Sequence, residues 1–500
     1  MEDIDIGSWD RSPSLPIPLD LFFDIIQHLP IQSILALRQT NKSFYAITRL
    51  RSLWALLLRT LVQQQNIPIP YFDGKSLDSF SALELERLTC CALALRRNWT
   101  NPDPDAKREV DFYKPVEPDS RIIFMEFLPG RGNRWLISVT MTTQPMKYVI
   151  QCWDVAILQP VCIAELTHME GPYGGIIIND DPSSPAIIAM QSALTEILTI
   201  NFEEEDPESA FVPLSAIDGI REIHLLSGST LVTRHLQNGG EVSIWDINDQ
   251  PREKIQLACF FHVTPHVAEL YDWQKDRCQA MHLCDDYMVI VRQQTVELYS
   301  TTPRPNIIPT PGAPISYPLA QYSFQWLTET VNMSEQVSWN AARSHRPSPI
   351  NIVVRFGSIY PWPVNMLHHF VLNPNPAYVP GRETSLYNLP YLVQPTPVQT
   401  IGSPVRLFAP SSVALGRYGT VLWLDSHTED WEGPSDCGQR LAGRMLTATG
   451  GSSTSQRGSH ASMIFRVRND DLWNKVAIDE ESGRVAVGYV NGSITLFEYY

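Results

Sequence analysis

Side chains capable of chemistry are present in this sequence, but their spacing does not form a known catalytic or metal-binding motif. The patterns H-E-x-x-H and G-x-S-x-G and a phosphate-binding glycine-rich loop are all missing from it. The nearest approach to a metal site is His368-His369, and adjacent strand residues point to opposite faces, so these imidazoles cannot readily share one ion. The pairs Asp285-Asp286 and Asp470-Asp471 lie at turn-like positions, where aspartate is favoured for bonding its own backbone. We therefore predict no catalytic, cofactor-binding or metal-binding residues, and no enzymatic activity.

The cysteine and charge content of the chain excludes further classes. Eight cysteines are scattered without a C-x-x-C pair, so neither a disulfide scaffold nor a thiolate zinc site is indicated. The chain carries 38 basic and 54 acidic residues, a net charge of -16. That balance opposes binding to a phosphate backbone, because such affinity comes from lysine and arginine. We expect no nucleic-acid partner.

Segments that would direct the chain to a membrane or to secretion are not apparent. No run approaches the roughly 18 consecutive apolar residues of a membrane helix. Residues 1–14 are acidic, whereas a signal peptide is basic and then apolar. We expect a flexible tail over residues 1–14, no membrane partner, and a soluble protein of the cytoplasm, the nucleus or both.

The length of the chain predicts more than one domain. Its 500 residues exceed what a single hydrophobic core usually serves, since domains run to about 100 to 200 residues. With 44% apolar and 18% charged residues, most of the chain can bury enough surface to fold. Disorder of the whole chain is excluded.

Residues 15–60 have the pattern of a small helical bundle. The apolar residues from Phe22 to Leu29 repeat at the three- and four-residue spacing of an amphipathic helix, and Pro30 ends that helix. Further short helices are predicted before residue 60. A bundle of this size lies near the lower limit of independent stability, so its apolar surface is expected to need a partner.

The same residues resemble the F-box motif in order and spacing. Ile17-Pro18-x-Asp20 stands in place of Leu-Pro-x-Glu, Asp24-Ile25-Ile26 stands in place of Glu-Ile-Leu, and the match continues through Leu29-Pro30, Leu35, Leu37, Lys42, Phe44 and Leu53-Trp54. The resemblance covers a small part of the chain. It implies that the following residues meet the Skp adaptor of a cullin ubiquitin ligase, or shape the surface that does: Ile17, Pro18, Leu21, Ile25, Leu29, Pro30, Leu35 and Trp54. The alternative is a helical cap on a larger domain, with these residues simply in its core.

Residues 61–104 are expected to link this bundle to the rest of the chain. Leu85, Leu88, Ala92 and Leu95 would share one helical face, with charges on the opposite face, so a helix is predicted from about residue 81 to 97.

After Arg121 the pattern changes to short runs rich in β-branched and aromatic residues, bounded by Gly, Pro, Asn and Asp. Three groups of three runs are clearest, and each ends on an aromatic residue followed by an acidic one, at Trp153-Asp154, Trp245-Asp246 and Phe497-Glu498. Intervening groups end near Thr199-Ile200, Leu298-Tyr299, Phe370-Val371 and Leu424-Asp425. The spacing, roughly 45 to 75 residues, suits four-stranded units with insertions.

This organisation resembles a degenerate WD-repeat β-propeller over residues 105–500, with seven blades expected and six or eight as alternatives. No Gly-His dipeptide occurs, so the Asp-His-Ser-Trp hydrogen-bond network of standard repeats is not expected, and the blades near residues 350 and 430 are poorly defined. Long insertions are expected near residues 303–349, 373–404 and 432–462. Because the carboxyl-terminal group has only three runs, the strand-like Val110 to Tyr113 is the candidate for its missing outer strand.

The predicted fold is multidomain, with a helical F-box, a linker helix and an all-β propeller. The resemblances imply the substrate-recognition subunit of a cullin-type ubiquitin ligase, with the Skp adaptor, cullin and an unknown protein substrate as partners. Such a receptor catalyses nothing itself; it holds an acceptor lysine at high effective concentration near activated ubiquitin. Two alternatives stay open: a propeller enzyme whose carboxylates lie on loops, and an adaptor-bound scaffold that never delivers substrate.

Lysine is scarce in this chain, which has eight lysines and thirty arginines. Arginine keeps the positive charge but offers no amine for ubiquitin to modify. The scarcity therefore has two explanations: protection of a receptor from modifying itself, or a compositional bias that raises arginine at the expense of lysine.

Overall fold

The computed structural model separates the chain into two compact units, residues 1–97 and residues 98–500. The expected tail, residues 1–14, lies outside the described residues, as does Ile17. The structure describes residues 18–65, 67–69, 77–113, 119–131, 134–168, 174–219, 221–235, 242–248, 252–257, 278–284, 286–302, 315–336, 347–357, 366–403, 412–427, 437–446 and 463–500.

The first unit is helical, as predicted. Pro18 and Pro30 immediately precede its first two helices, with φ of -53° and -57°, which suits a residue whose ring fixes φ and which has no N–H to satisfy. The bounds are α1 (Leu19–Ile26), α2 (Ile31–Arg38), α3 (Lys42–Ile47), α4 (Arg51–Gln65) and α5 (Ala82–Trp99), with a 3₁₀ turn at Leu77–Ser79.

Helix α5 begins with a capping box. The Glu84 N–H donates to Ser81 Oγ at 3.3 Å, and the Ser81 N–H donates to a Glu84 carboxylate oxygen at 2.7 Å. These reciprocal bonds satisfy backbone donors that a helix start leaves without a partner. The sequence predicts a helix over about 81–97, and the structure places its end at Trp99.

The second unit is a β-propeller of seven blades, which confirms the expected blade number. Each blade contains four antiparallel strands that are neighbours in the sheet. Blade 1 contains β2 (Arg121–Phe127), β3 (Trp135–Thr143), β4 (Met146–Asp154) and β5 (Val161–His168); blade 2 contains β6 (Gly175–Ile178), β7 (Ile188–Gln191), β8 (Thr195–Ile200) and β9 (Phe211–Ile217); blade 3 contains β10 (Arg221–Ser227), β11 (Thr230–His235), β12 (Val242–Asp246) and β13 (Arg252–Leu257).

The remaining blades follow the same plan. Blade 4 contains β14 (Cys278–Leu283), β15 (Tyr287–Arg292), β16 (Thr295–Ser300) and β18 (Ala320–Ser323); blade 5 contains β19 (Thr328–Glu335), β20 (Ile350–Phe356), β21 (Met366–Leu372) and β22 (Thr396–Gly402); blade 6 contains β23 (Val413–Leu415), β24 (Thr420–Ser426), β25 (Gln439–Met445) and β26 (Met463–Arg468). Blade 7 contains β27 (Trp473–Asp479), β28 (Arg484–Tyr489), β29 (Ile494–Glu498) and β1 (Arg108–Phe112), while β17 (Ile315–Ser316) pairs in parallel with β13 as a fifth strand of blade 3.

Apolar packing joins neighbouring blades. Buried clusters connect blades 1 and 2, 2 and 3, 3 and 4, 4 and 5, 5 and 6, and 7 and 1. Blades 6 and 7 are also tied by hydrogen bonds: Gln439 Nε2 donates to the Trp473 carbonyl at 2.9 Å, and the Trp473 N–H donates to Gln439 Oε1 at 2.8 Å. The seven blades thus pack against one another in a closed ring.

The ring closes with a strand from the start of the unit, as the sequence predicts. Strand β1 pairs antiparallel with β29, from Arg108 opposite Glu498 to Phe112 opposite Ile494. Phe112 is buried and meets the ring of Trp153 edge to face, with centroids 4.9 Å apart. The carboxyl-terminal blade therefore gains its fourth strand from residues nearly 400 positions earlier, as the 390-residue separation of the Arg108–Glu498 ion pair shows.

The three ranges in which long insertions are expected also hold strands. The range 303–349 holds β17, β18 and β19; 373–404 holds β22; and 432–462 holds β25. Pro397 weakens the strand pattern of β22 in the sequence. The structure accommodates it because β22 is the outermost strand of blade 5, and an edge strand tolerates a residue that donates no hydrogen bond. Parts of these ranges, including 303–314, 337–346 and 447–462, lie outside the described residues.

Part of the hydrogen-bond network that the sequence did not lead us to expect is present. The Trp153 indole N–H donates to Ser138 Oγ at 2.9 Å, and the Trp245 indole N–H donates to Thr233 Oγ1 at 3.1 Å. In each pair a tryptophan on the third strand bonds a hydroxyl on the second. The tryptophan and hydroxyl therefore pair here without a Gly-His dipeptide.

Candidate functional site on the first helix

An apolar stripe on α1 is exposed. Leu21, Ile25 and Leu29 are 50%, 53% and 37% exposed, with Leu29 in the turn that follows the helix. The four-residue spacing places them on one side, because a helix turns once in 3.6 residues. Phe22 and Ile26 are buried on the neighbouring side, about 100° further round the helix. One helix therefore presents apolar side chains in two directions, and only one direction is covered within the described part of this unit.

The two prolines frame this stripe. Pro18 and Pro30 are exposed, and their carbonyls accept the Phe22 N–H at 3.0 Å and the Ile34 N–H at 3.1 Å. These bonds close the first turns of α1 and α2, so the prolines fix where the stripe begins and ends. Leu35, on α2, is half-buried.

Trp54 lies beneath the surface rather than on it. Its side chain is fully buried, and its indole N–H donates to the Thr48 carbonyl at 2.8 Å. Thr48 Oγ1 donates in turn to the Phe44 carbonyl at 2.6 Å, and Phe44 stacks on Phe22 with ring centroids 5.6 Å apart. Trp54 is therefore linked to α1 from inside the bundle, through Thr48, Phe44 and Phe22.

An ion pair binds α5 to the same bundle. Arg38, at the end of α2, holds the Glu86 carboxylate with both terminal nitrogens, at 2.7 and 2.9 Å, and also donates to the Thr48 carbonyl at 2.9 Å. Both side chains of the pair are more than four-fifths buried, where a two-pronged geometry is most effective. Glu86 belongs to α5, so the first half of this helix is part of the bundle.

The structure shows two features that the sequence did not predict, the ion pair between Arg38 and Glu86 and the exposed side chain of Tyr45. Arg38 and Glu86 are 48 positions apart, and no local pattern links them. Tyr45, directly after Phe44 on α3, is 49% exposed.

The residues considered for chemistry have structural partners. His369 is buried against Asn351 Oδ1 at 3.0 Å, and burial lowers its pKa to about 4, whereas His368 lies 3.3 Å from Thr400 Oγ1. Asp470 holds Arg468, and Asp471 accepts the Gly438 N–H at 2.9 Å. Asp285 lies outside the described residues.

Elsewhere in the propeller, an open cavity of about 340 Å³ lies between blades 2 and 3. Apolar side chains such as Ile197, Leu214 and Ile247 line it together with the hydroxyls of Ser215 and Ser229. No titratable group is among its described lining residues, so it offers no acid or base. Across the portions of the chain that can be described, no group of three or more His, Cys, Asp or Glu side chains is placed to hold a metal ion.

Helix length and hydropathy also bear on membranes. Within the described ranges, none of the helices combines the length and apolar character that crossing a bilayer requires.

Comparison with known proteins identifies the helical unit. The family model of the F-box domain matches residues 15–56, a range that contains the stripe on α1, both prolines and Trp54. A search of curated proteins finds no match. Blades 1 to 7 follow from the strand pairing described above. The chain therefore joins an F-box domain to a seven-bladed β-propeller.

Proposed function

We propose that this protein is the substrate-recognition subunit of a cullin-type ubiquitin ligase. Its F-box docks the Skp adaptor, which connects it to cullin, and its propeller binds a protein substrate. The observation that carries the proposal is the exposed stripe of Leu21, Ile25 and Leu29 inside a matched F-box domain. Pro18, Pro30, Leu35 and Ile17 complete the docking surface, and Trp54 supports it.

The stripe has the chemistry of an interface centre. Its three apolar side chains are each about half exposed, so covering them contributes roughly 3 kcal/mol in total before the costs of association. This favourable free energy comes from removing apolar surface from water, so it requires no polar contact with the partner. A charge placed in the stripe would lose solvation on docking and find no partner, which makes it strongly unfavourable.

The proposed receptor does no chemistry itself. It raises the concentration of a substrate lysine near ubiquitin that the rest of the ligase has activated. This role needs two binding surfaces and no catalytic group, which agrees with the structural partners found for His369, Asp470 and Asp471.

Adaptor binding provides the direct test. Ile25→Asp should weaken binding of purified Skp adaptor to the full chain by about 100-fold or more, and cullin should no longer co-purify. Leu83→Asp is the matched control, because Leu83 is an exposed leucine of the same unit, on α5 and outside the residues that match the F-box model. Its adaptor affinity should equal that of the wild type.

Both variants should keep the wild-type thermal unfolding midpoints of the F-box unit and of the propeller, which would show that both units remain folded. Undiminished adaptor binding by Ile25→Asp would refute docking through α1. A propeller enzyme would bring down neither adaptor nor cullin, while a scaffold would bring down both without shortening the lifetime of any bound protein.

A further inference from the structure

A loop on blade 5 carries the most exposed aromatic side chain among the described residues. The loop joins β21 to β22, and at its tip Tyr387 is 100% exposed and Leu386 is 59% exposed. Two neighbouring apolar side chains are exposed together at this tip, and tyrosine is enriched among the residues that dominate binding energy at interfaces.

The loop tip has a fixed conformation despite its exposure. The Asn388 N–H donates to the Ser385 carbonyl at 3.0 Å, which closes a tight turn with Leu386 and Tyr387 at its centre. The Asn388 side chain accepts the Val379 N–H at 2.9 Å and lies within 3.3 Å of the carbonyls of Val379, Arg382 and Glu383. One asparagine thus holds both sides of the loop together.

The base of the loop is attached to blades 4 and 5. Thr384 Oγ1 donates to the Asp286 carboxylate at 2.7 Å, and Asp286 lies between β14 and β15 of blade 4. The Tyr391 hydroxyl donates to the Ser348 carbonyl at 2.9 Å. Leu386 and Tyr387 are therefore positioned before any partner arrives, which reduces the entropy lost on binding.

Carboxylates without cationic partners lie beside the base of the loop. Glu335 is paired in register with Ile350, two residues from Ser348, and its side chain is 44% exposed. Within the described chain, no lysine or arginine lies within ion-pair distance of Asp286 or Glu335. The nearby His282, 3.8 Å from Glu335, has a pKa lowered by burial, so it stays neutral near pH 7.

We propose that Leu386 and Tyr387 are the main substrate contact of the propeller. They enter an apolar pocket on a folded protein substrate, and lysine or arginine side chains at the rim of that pocket face Asp286 and Glu335. The charge of the whole chain, -16, favours approach by such a basic surface. This inference rests on the proposed receptor function and adds to it the surface used and the chemistry of the substrate.

Photo-crosslinking identifies the occupant. The full chain carries p-benzoylphenylalanine in place of Tyr387, or in place of Leu158 as a control, since Leu158 is an 85% exposed leucine of blade 1. A protein crosslinked from position 387 and not from 158 is then purified, and its affinity for the full chain is measured by calorimetry. Capture alone is not taken as support.

The affinity series decides the proposal. Tyr387→Ala should weaken binding of that protein about tenfold or more, and Asn388→Ala should also weaken it although both apical side chains remain. Leu158→Ala should bind like the wild type, and Glu335→Gln should reduce the dependence of affinity on salt. All of these variants should bind the Skp adaptor normally, so failure here is distinct from failure of the F-box proposal.

Other occupants overturn the inference. Binding of neutral phosphatidylcholine vesicles, or self-association measured by sedimentation, that is lost in Tyr387→Ala would assign the tip to lipid or to a second copy. Equal crosslinking from positions 387 and 158 would show that Tyr387 is not a substrate contact. Wild-type affinity of Tyr387→Ala for the captured protein would show the same.

Discussion

Single residues hold blade 6 against blade 7, and Glu480 is the clearest of them. Its carboxylate accepts the Tyr418 N–H at 2.6 Å and the Thr420 N–H at 2.7 Å, across the seam between the two blades. Glu480 is 6% exposed. A Cβ added to Gly416 would lie 2.1 Å from the Glu480 carboxyl carbon, so the close approach of backbone and carboxylate requires glycine at this position.

Burial makes this contact depend on pH. It raises the pKa of Glu480 to about 7 from an ordinary 4.5, although the two backbone N–H groups act in the opposite direction. The folded protein therefore binds this proton more tightly than the unfolded chain does. The stability contributed by the protonated group is complete below pH 4.5 and is lost as the pH rises through 7.

We expect the urea concentration at the unfolding midpoint to decrease as the pH rises from 5 to 8. The decrease should be smaller in Glu480→Gln. The glutamine stays neutral, so its burial costs the same at every pH, and it loses one acceptor for a backbone N–H at a cost of about 1–3 kcal/mol. Some dependence should remain, because burial also raises the pKa of Glu126 to about 7 and that of Asp479 to about 6.

Glu481→Gln is the matched control, since Glu481 is the adjacent carboxylate and accepts from the Tyr418 hydroxyl at 3.3 Å across the same seam. It should keep more of the wild-type pH dependence than Glu480→Gln does, with a small change because the Glu481 charge helps to raise the pKa of Asp479. If the urea midpoint of Glu480→Gln depended on pH as strongly as that of the wild type, Glu480 would not be the group responsible for the dependence.

At this scale the sequence predicts residues with local patterns and misses those with distant partners. Ile25 and Leu29 follow from helical periodicity and from the F-box spacing. Trp54 is part of the F-box motif, but neither its burial nor its hydrogen bond to the Thr48 carbonyl could be predicted from the motif. Arg38 with Glu86, and Glu480 with Tyr418, are 48 and 62 positions apart, and a single sequence does not say which distant charges or amides meet.

At the scale of elements, the count of strands was informative where composition was not. Three runs at the carboxyl end required a fourth, and β1 supplies it. Proline and glycine content, in contrast, suggested insertions where β22 and β25 lie. Six of the seven groups end on the third strand of a blade. The group at Leu424-Asp425 ends on β24, the second strand, where Asp425 is a buried acceptor for Trp423 and Arg440.

Closure by β1 predicts a difference between two fragments. A fragment of residues 98–500 keeps β1, whereas a fragment of residues 119–500 removes it and exposes the edge of β29. The shorter fragment should lose roughly 3 kcal/mol or more of unfolding free energy, because it loses the packing of Phe112 and of Trp99 and leaves backbone groups of β29 unpaired. Urea unfolding of both fragments measures it.

The longer fragment starts at residue 98 because Trp99 belongs to the propeller unit. Its indole N–H donates to Thr420 Oγ1 at 3.1 Å, and its ring packs edge to face on Phe465 and Tyr499. Equal unfolding free energies for the two fragments would mean that β1 does not stabilise the ring.

At the scale of the whole molecule, the two units divide the proposed work. In this proposal the first unit presents exposed apolar side chains to the adaptor, and the second presents Leu386 and Tyr387 to a substrate. A receptor of this kind stays beside activated ubiquitin for as long as it is docked, so its own lysines compete with those of the substrate. The proposed function thereby gives a physical reason for a chain with eight lysines and thirty arginines.

Exposed arginines allow that reason to be tested. Arg87, Arg97 and Arg382 are exposed, and changing all three to lysine adds amines while keeping the charge. If lysine scarcity protects the receptor, this triple variant should have a half-life in cells at least about twofold shorter than that of the wild type, because amines near activated ubiquitin react at high effective concentration. Adding Ile25→Asp should restore the wild-type half-life, since an undocked receptor is not held near ubiquitin. A half-life that does not change, or that shortens equally in the presence of Ile25→Asp, would leave compositional bias as the explanation for the missing lysines.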